Sequence, residues 1–248
     1  MTGVQTCALP IYARADVIVE LIGGAMGPAL DLARATLAQG KPFVTANKAM
    51  IAHHGIALAQ IAEQGGVPLM YEAAVAGGIP VIAGLRDGAA ANAIDRVYGI
   101  LNGTCNYILT TMETEGRDFS AVLADAQAMG FAEADPAFDV DGIDTAHKLA
   151  ILASLSFGTR IDFGAVQIGG IRAILADDIE QARALGFRIR LIGMSEVSRD
   201  GLFQRVSPCL VPSDHPLAHV AGAMNAVVAE GNFVGRLLFE GRDRKSVV

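Results

Sequence analysis

The sequence has no tryptophan, few charged residues and no long apolar run. Charged residues make up 18% of the 248 residues, and the net charge of −7 argues against nucleic acid as the main partner. No apolar stretch reaches the roughly 18 residues that a membrane span needs, and no basic segment followed by an apolar core indicates a signal peptide. Because 52% of the residues are hydrophobic, the chain is predicted to be globular with a sizeable core. From the charge and the lack of a long apolar run, neither a nucleic acid nor a membrane is expected as partner.

Cysteines are few and widely spaced. The chain has three of them, Cys7, Cys105 and Cys209. An odd number without a C-x-x-C pair predicts no disulfide framework and a reducing, cytoplasmic location. Nucleophilic catalysis by Cys105 is one interpretation, but a small buried residue in a loop is the favoured one.

The glycine-rich loops that cradle phosphate groups are also missing. The sequence contains neither G-x-G-x-x-G nor a Walker A motif. Its two ends differ from the rest, because residues 1–12 follow no helical or strand period and residues 242–248 interrupt an apolar pattern. Both ends are predicted to be foreign to a gene fragment, which leaves residues 13–241 as the informative part.

Strands and helices alternate in the first third of the chain. Apolar runs at 16–22, 41–46 and 67–72 are typical of buried parallel strands, and helical spacing over 28–40 and 48–64 connects them. This order predicts an α/β fold with a doubly wound parallel sheet over residues 13–90.

After about residue 90 the elements follow a mixed order. This order predicts an α+β domain over residues 91–241. The predicted strands cover 96–101, 165–170, 187–194 and 202–211, and the predicted helices cover 106–115, 119–129, 142–157 and 178–185.

An acidic segment leads into the helix predicted at 142–157. Asp144 and Lys148 are four residues apart and share one helical face, which Asp141 is expected to join. One interpretation is an ordinary surface salt bridge. The other is a buried pair with a task, because the pair adjoins an apolar face and desolvation lowers the pKa of a lysine that donates protons. An EF-hand is excluded, since Ala137 and Lys148 would hold its first and last ligand positions.

Three further polar segments lie where strands are predicted to end. Gly23-Gly24, Asn47-Lys48 and residues 72–78 follow the three parallel strands, and ligands of such sheets bind beyond those ends. Lys48 is either a solvated residue after a helix cap or a lysine directed into the cleft. Residues 72–80 are either a closely packed turn or a turn whose carbonyl groups hold a monovalent cation.

The remaining polar features are one turn and the histidines. Residues 102–106 form a polar turn that either caps a helix or shapes a pocket. The five histidines lack metal-ligand spacing and are interpreted as structural or exposed.

Taken together, these motifs resemble the homoserine dehydrogenase family in residues and in order. The matching segments are residues 19–24, 45–48, 72–80, 102–104 and the acidic stretch 126–148. The resemblance covers about residues 16–241. It implies that residues 13–90 are a partial Rossmann-like NAD(P)-binding domain and that residues 91–241 are the substrate-binding, catalytic and dimerisation domain.

The resemblance also assigns roles to single residues. Lys148 matches the proton-transfer lysine and Lys48 a second catalytic lysine near the nicotinamide, while Gly23 lies where the family's chain passes the cofactor. The substrate-binding positions are matched by Glu133, Asp139 and Asp144. The positions around a structural sodium ion are matched by Glu72, Val75, Gly77 and Ile79.

The activity implied is the interconversion of L-aspartate 4-semialdehyde and L-homoserine with NADP or NAD, a step in threonine, methionine and isoleucine biosynthesis. In this reaction a lysine ammonium donates a proton to the alkoxide that forms when hydride reaches the aldehyde carbon. A homodimer through the sheet of the second domain is implied as well. The alternative is a catalytically impaired remnant that keeps the substrate pocket and acts only as a binding and dimerising domain.

Overall fold

A computed structural model describes residues 15–243, and its first unit is a parallel sheet flanked by two helices. The strands β1 (Ile18–Glu20), β2 (Phe43–Thr45) and β3 (Leu69–Met70) lie in the order β1-β2-β3. Helix α1 (Pro28–Ala38) and helix α2 (Lys48–Gly65) connect them. The predicted order of strands and helices in this unit is confirmed.

The three strands are shorter than their apolar runs. At β1 the cause is the Glu20 carboxylate, whose Oε1 accepts hydrogen bonds from the backbone nitrogens of Ile22 at 2.6 Å and Gly23 at 2.8 Å. These N–H groups bond to the side chain and turn the chain out of the ladder. The helices begin and end where local rules place them: Pro28 opens α1, and Gly66, in the left-handed conformation, caps α2.

A short helical segment joins the two units. It consists of a 3₁₀ turn at Glu72–Ala74, helix α3 (Val81–Ala83) and one π-helical stretch at Gly84–Gly88. The chain then enters strand β4 (Ile94–Ile100) of a second sheet.

The second sheet has six strands in the order β5-β7-β6-β4-β8-β9. All its pairings are antiparallel except that of β5 with β7. The remaining strands are β5 (Gln167–Ile168), β6 (Phe187–Ser198), β7 (Gly201–Pro212), β8 (Met224–Gly231) and β9 (Gly235–Arg242). The sequence analysis missed β8 and β9. In β8 five consecutive residues are buried and show no alternation.

Five helices belong to this unit. They are α4 (Gly103–Glu115), α5 (Phe119–Ala128), α6 (Ala137–Val140), α7 (Ile143–Phe157) and α8 (Ala176–Ala184). The prediction that Cys105 lies in a loop was wrong, since this buried residue lies in the first turn of α4. Its thiol donates a hydrogen bond to the Asp139 carbonyl at 3.2 Å. Cys209 is a free thiol.

The two faces of the six-stranded sheet differ. One face packs against α4 and α7 and continues into the main core. On the other face a second apolar cluster is partly covered by a 3₁₀ turn at Pro216–Ala218. A row of cross-strand neighbours, Leu238, Val228, Tyr98 and Met194, crosses this open face. No helix in the described range 15–243 is long and apolar enough to cross a membrane.

Candidate active site

A cavity of about 170 Å³ lies where the two units meet. The first unit contributes small residues and one lysine from the carboxyl ends of β2 and β3, and the second unit contributes most of the charged groups. The lining residues are Ala46, Lys48, Ala73, Ala74, Gly77, Asn102, Thr104, Glu133, Asp135, Phe138, Asp139, Asp144, Lys148 and Asp243. The cavity therefore brings together both predicted lysines and all three predicted substrate-binding carboxylates.

Asp144 lies between the two lysines. Its Oδ2 is 2.7 Å from Lys148 Nζ, and its Oδ1 is 2.9 Å from Lys48 Nζ. The pair on α7 is local, because residues four apart lie one above the other on a helix. Lys48 comes from the first turn of α2, at the end of β2, as the rule for parallel sheets predicts. The interpretation of Lys48 as a lysine directed into the cleft is therefore the one that fits.

The start of α7 depends on one glycine. Gly142 precedes the helix with φ of 88°, and a Cβ atom there would lie 3.1 Å from the Gly169 carbonyl oxygen. A side chain would therefore be strained by both the backbone and the contact. This glycine lets Asp144 enter the first helical turn, where the free N–H groups favour a negative charge.

Asn102 holds the two buried carboxylates in place. Its Nδ2 donates to Asp139 Oδ1 at 2.8 Å and to Asp144 Oδ2 at 2.9 Å, while its Oδ1 accepts from the backbone nitrogen of Cys105 at 2.7 Å. Lys148 Nζ also donates to the Leu101 carbonyl at 2.6 Å. Asn102 was predicted only as part of a polar turn. Its position between a strand and a helix was the available signal, but its partners are distant in sequence.

Opposite charges outweigh burial in setting the protonation of the pair. Burial alone would raise the pKa of the Asp144 carboxyl, but the charges of Lys148 and Lys48 and the hydrogen bonds from Lys148 and Asn102 hold that pKa well below its usual range. Burial likewise favours the neutral amine of Lys148, but Asp144 and Asp243 outweigh it and raise its pKa. Burial thus acts in the expected direction, but the expectation of a lowered pKa for Lys148 was wrong. Lys148 is therefore an ammonium group in the resting site.

Asp141 does not join this group, which corrects the expectation from helical spacing. It precedes α7 and lies in the surface pair that it forms with Arg172, whose Nη2 is 3.2 Å from Asp141 Oδ2. Both side chains of that pair are exposed.

The other predicted substrate-binding residues differ in burial. Asp139 is buried, whereas Glu133 is exposed at the edge of the cavity. The sequence analysis did not select Phe138, whose ring centroid is 5.5 Å from Lys48 Nζ. Nor did it select Asp243, which lies in the end segment predicted to be foreign. Asp243 is buried in the cavity wall, and its Oδ2 accepts from the Gly103 backbone nitrogen at 3.3 Å.

The glycine turn after β1 is fixed by polar side chains. Glu20 Oε1 accepts hydrogen bonds from backbone nitrogens of this turn, and Glu20 Oε2 accepts one from Thr45 Oγ1 at 2.6 Å. Asn47 Nδ2 donates to the Gly24 carbonyl at 2.7 Å. Gly23 has φ of 85°, and no atom lies within 4 Å of where its Cβ would be. Gly23 does not line the cavity. Among residues 15–243 it instead presents backbone to open space at the sheet edge.

The segment 72–79 contains two consecutive left-handed residues. Ala76 has φ of 55° and Gly77 has φ of 63°. Both carboxylate oxygens of Glu72 accept from backbone nitrogens, Ile82 at 2.8 Å and Ala83 at 2.9 Å. The carbonyl groups of Val75 and Gly77 accept no hydrogen bond from residues 15–243.

The structure joins a parallel sheet, with a glycine turn at its edge, to a unit with a mixed sheet. A cavity lined by lysine and carboxylate groups lies where the two meet. These features define a class of protein. It is the class of two-domain α/β proteins whose site lies between a Rossmann-like sheet and a second domain. A family model described as homoserine dehydrogenase matches residues 80–247. The chain belongs to the homoserine dehydrogenase family.

Individual relatives agree with this membership. Over 226 residues the chain is 50% identical to the homoserine dehydrogenase of Pseudomonas aeruginosa, an alignment that covers 91% of this chain and 52% of that protein. A solved homoserine dehydrogenase from Thiobacillus denitrificans is similar with a TM-score of 0.90 and 45% identity, over 92% of this chain and 52% of that one. A hyperthermophilic archaeal homoserine dehydrogenase, solved in complex with NADPH, is similar with a TM-score of 0.80 and 27% identity, over 92% of this chain and 66% of that one. The chain thus spans about half the length of the curated relatives it matches.

Proposed function

We propose that this chain carries the substrate site and part of the nucleotide site of an enzyme that interconverts L-aspartate 4-semialdehyde and L-homoserine with a nicotinamide cofactor. The reaction belongs to threonine, methionine and isoleucine biosynthesis. The observation that supports the proposal is the buried Asp144 carboxylate held between Lys48 and Lys148. An apolar helix face accommodates such a group only at a cost, which a catalytic task explains.

Lys148 is proposed as the proton donor. A lysine ammonium has three N–H groups, and two of them bond to Asp144 Oδ2 and the Leu101 carbonyl. The third is available to the cavity that Lys148 lines, where it meets the oxygen of the substrate carbonyl. The nicotinamide ring supplies or accepts the hydride when it is bound. Lys148 then donates its proton to the alkoxide in reduction, or accepts one in oxidation.

The other polar residues position the substrate. Asp139 and Asp144 lie inside the cavity and Glu133 lies at its edge, so their carboxylates suit the ammonium group and the hydroxyl end of homoserine. Lys48, the second catalytic lysine of the proposal, lies on the side of the first unit, nearer to the nucleotide. Its charge adds to the electrostatic stabilisation of the developing alkoxide.

NADP or NAD is the proposed cofactor, and the archaeal relative solved with NADPH supports a nicotinamide nucleotide. The residues present fit such a group. Gly23 offers unobstructed backbone at the sheet edge, and Ala46, Ala73 and Ala74 leave space beside Lys48. Lys48 and Gly23 are the residues of this chain that would contact the cofactor.

A structural sodium ion in the segment 72–79 is also proposed, on the family resemblance. The carbonyl groups of Val75 and Gly77 suit it, since they accept no hydrogen bond within residues 15–243 and hard cations prefer oxygen ligands. The carbonyls of Glu72 and Ile79 complete the proposed set, while the Glu72 side chain caps the following helix. Sodium titration monitored by thermal melting would test the site, and a melting temperature equal in sodium and in tetramethylammonium would reject it.

A cytoplasmic homodimer is the proposed form of the protein. The open face of the six-stranded sheet supports dimerisation, because its apolar row ends at Leu238, which is 42% exposed. We expect Leu238→Asp to give monomers in sedimentation equilibrium where the unchanged chain is dimeric. Leu185→Asp is the matched control, because Leu185 is also exposed but lies at the end of α8 rather than in the apolar row. A dimer that survives Leu238→Asp would contradict this assignment.

Two measurements on the chain test the proposed activity. We expect L-homoserine to bind in calorimetry at least about tenfold more tightly than L-2-aminobutyrate, because the analogue lacks the hydroxyl group and leaves buried polar groups unpaired. We also expect homoserine-dependent reduction of NADP or NAD, followed by absorbance. Binding without reduction would favour the remnant that only binds and dimerises, and no preference for homoserine would overturn the proposal.

A further inference from the structure

Helices α2 and α7 contact each other through two pairs of polar side chains. The first pair is the ion pair of Lys48 with Asp144. The second lies further along both helices, where His53 Nε2 is 3.2 Å from His147 Nε2. The flexible stem of Lys48 allows its ammonium group to follow movements of α2. Two rigid imidazole rings allow less movement, so the histidine pair fixes the position of α2 on α7 more strictly than the ion pair does.

The surroundings of His147 determine where its proton lies. His147 is 4% exposed, and its Nδ1 is buried without a hydrogen-bond partner among residues 15–243. A buried lone pair without a donor is less costly than a buried N–H without an acceptor. His147 therefore carries its proton on Nε2 and donates it to His53. His53 is exposed, so its own proton on Nδ1 can be solvated.

Aromatic rings hold this pair and connect it to the site. The His147 ring stacks on Phe163 with a centroid distance of 4.3 Å, and Phe163 meets His53 edge-on at 5.0 Å. The centroid of the His147 ring also lies 5.5 Å from that of Phe138. Lys48 Nζ lies near the same Phe138 ring. Movement of the histidine pair would thus reach Lys48 both through α2 and through Phe138.

We propose that His53 and His147 form a neutral, hydrogen-bonded link between the two units that positions Lys48 in the cavity. Neither histidine lines the cavity, so both are positioning residues. The consequence for substrate binding rests on the proposed function, whereas the link itself does not.

The link requires that His53 present a lone pair to His147. A proton added at His53 Nε2 would place a second N–H against that of His147, and the bond would reform only if the His147 proton moved to Nδ1, where no acceptor lies among residues 15–243. The titratable and charged groups that face His147 are His53 and Lys48 on α2 and Asp144 on its own helix, and Phe138 and Phe163 are apolar. Burial, together with His53 and Lys48, lowers the pKa of His147 to about 4 despite the opposing effect of Asp144, so His147 stays neutral near neutral pH.

The test compares two neighbouring histidines of α2. His53→Ala removes the acceptor, whereas His53→Gln keeps an acceptor at similar reach that does not titrate. His54→Ala is the matched control, because His54 contacts Met26 Sδ at 3.1 Å rather than His147. We expect His53→Ala to weaken homoserine binding about fivefold at neutral pH, the size of one lost hydrogen bond. We expect His53→Gln to restore the affinity, because the glutamine side chain can accept the same hydrogen bond from His147.

Two spectroscopic measurements do not depend on homoserine. In ¹⁵N imidazole spectra we expect His147 as the Nε2–H tautomer, with a shift that changes in His53→Ala and not in His54→Ala. The chain has four lysines, and after reductive ¹³C-methylation the Lys48 methyl signal should move in His53→Ala alone. A His147 ring or a Lys48 signal that is unaffected by His53→Ala would overturn the link. If the link is seen but homoserine does not bind, the proposed function fails and the link stands.

Discussion

Replacing Asp144 with alanine is expected to destabilise the protein by about 3–5 kcal/mol, because it leaves the buried Lys148 and the partly buried Lys48 without their shared partner. The side chain of Asp144 is 5% exposed and that of Lys148 is 9% exposed, so little water is available to replace the lost carboxylate. Asn102 would also lose one of its two carboxylate acceptors. Urea denaturation followed by circular dichroism measures the change.

Asp141→Ala provides the matched control for this prediction. Asp141 lies three residues earlier and pairs with Arg172 at the surface, where both side chains are about half exposed. Such pairs contribute about 0–1 kcal/mol. Equal losses of stability in the two variants would mean that the pair of Asp144 with Lys148 is no stronger than an exposed salt bridge, which would contradict the argument for a buried functional group.

Asp144→Ala should also change how stability depends on pH. The pKa of Asp144 is lower in the folded chain than in the unfolded one, so its contribution is fully present above about pH 5 and is lost as pH falls toward the folded pKa. The pKa of Lys148 is raised, so its contribution is present below about pH 10 and is lost as pH rises further. Asp144→Ala should flatten the acid side of the profile, and an unchanged acid side would place the responsible carboxyl elsewhere.

Local rules were sufficient for the central residues of the site. The spacing of Asp144 and Lys148 fixes their distance once the segment is helical, and Lys48 follows from the rule that ligands meet the carboxyl ends of parallel strands. Asn102 and Phe138 could not be selected in this way. Their roles depend on contacts between elements that are far apart in sequence, such as the hydrogen bond from Asn102 to Asp144 across 42 positions.

The fold shows the same division between local and distant information. Helices with clear apolar faces and caps were predicted within a few residues, as for α5 and α7. Strand β8 was missed because it is central in its sheet and buried on both faces, so it has no alternating pattern. The direction of the Lys148 pKa shift was mistaken for a related reason. Burial can be inferred from an apolar face, but the number and proximity of compensating carboxylates cannot.

Replacing Lys148 with arginine is expected to lower the homoserine-dependent rate of nicotinamide reduction by about 10²–10⁴-fold, while homoserine affinity stays within roughly tenfold. Arginine keeps the positive charge beside Asp144, but it does not release a proton near neutral pH. Steady-state rates and calorimetric affinities together separate the two effects. Lys41→Arg, a substitution outside the cavity, serves as the control for the general effect of the exchange.

The corresponding change at Lys48 decides which lysine carries the proton. Among residues 15–243 the Lys48 ammonium has one ion-pair partner, Asp144 Oδ1 at 2.9 Å, whereas Lys148 is held by both Asp144 and the Leu101 carbonyl. A proton donor needs one N–H directed at the reacting oxygen, and two fixed bonds orient the third N–H of Lys148 better than one bond orients those of Lys48. Lys48→Arg should therefore keep more of the rate than Lys148→Arg, because the role proposed for Lys48 needs charge rather than proton transfer. The reverse order would assign the proton to Lys48 and leave Lys148 as the group that positions Asp144.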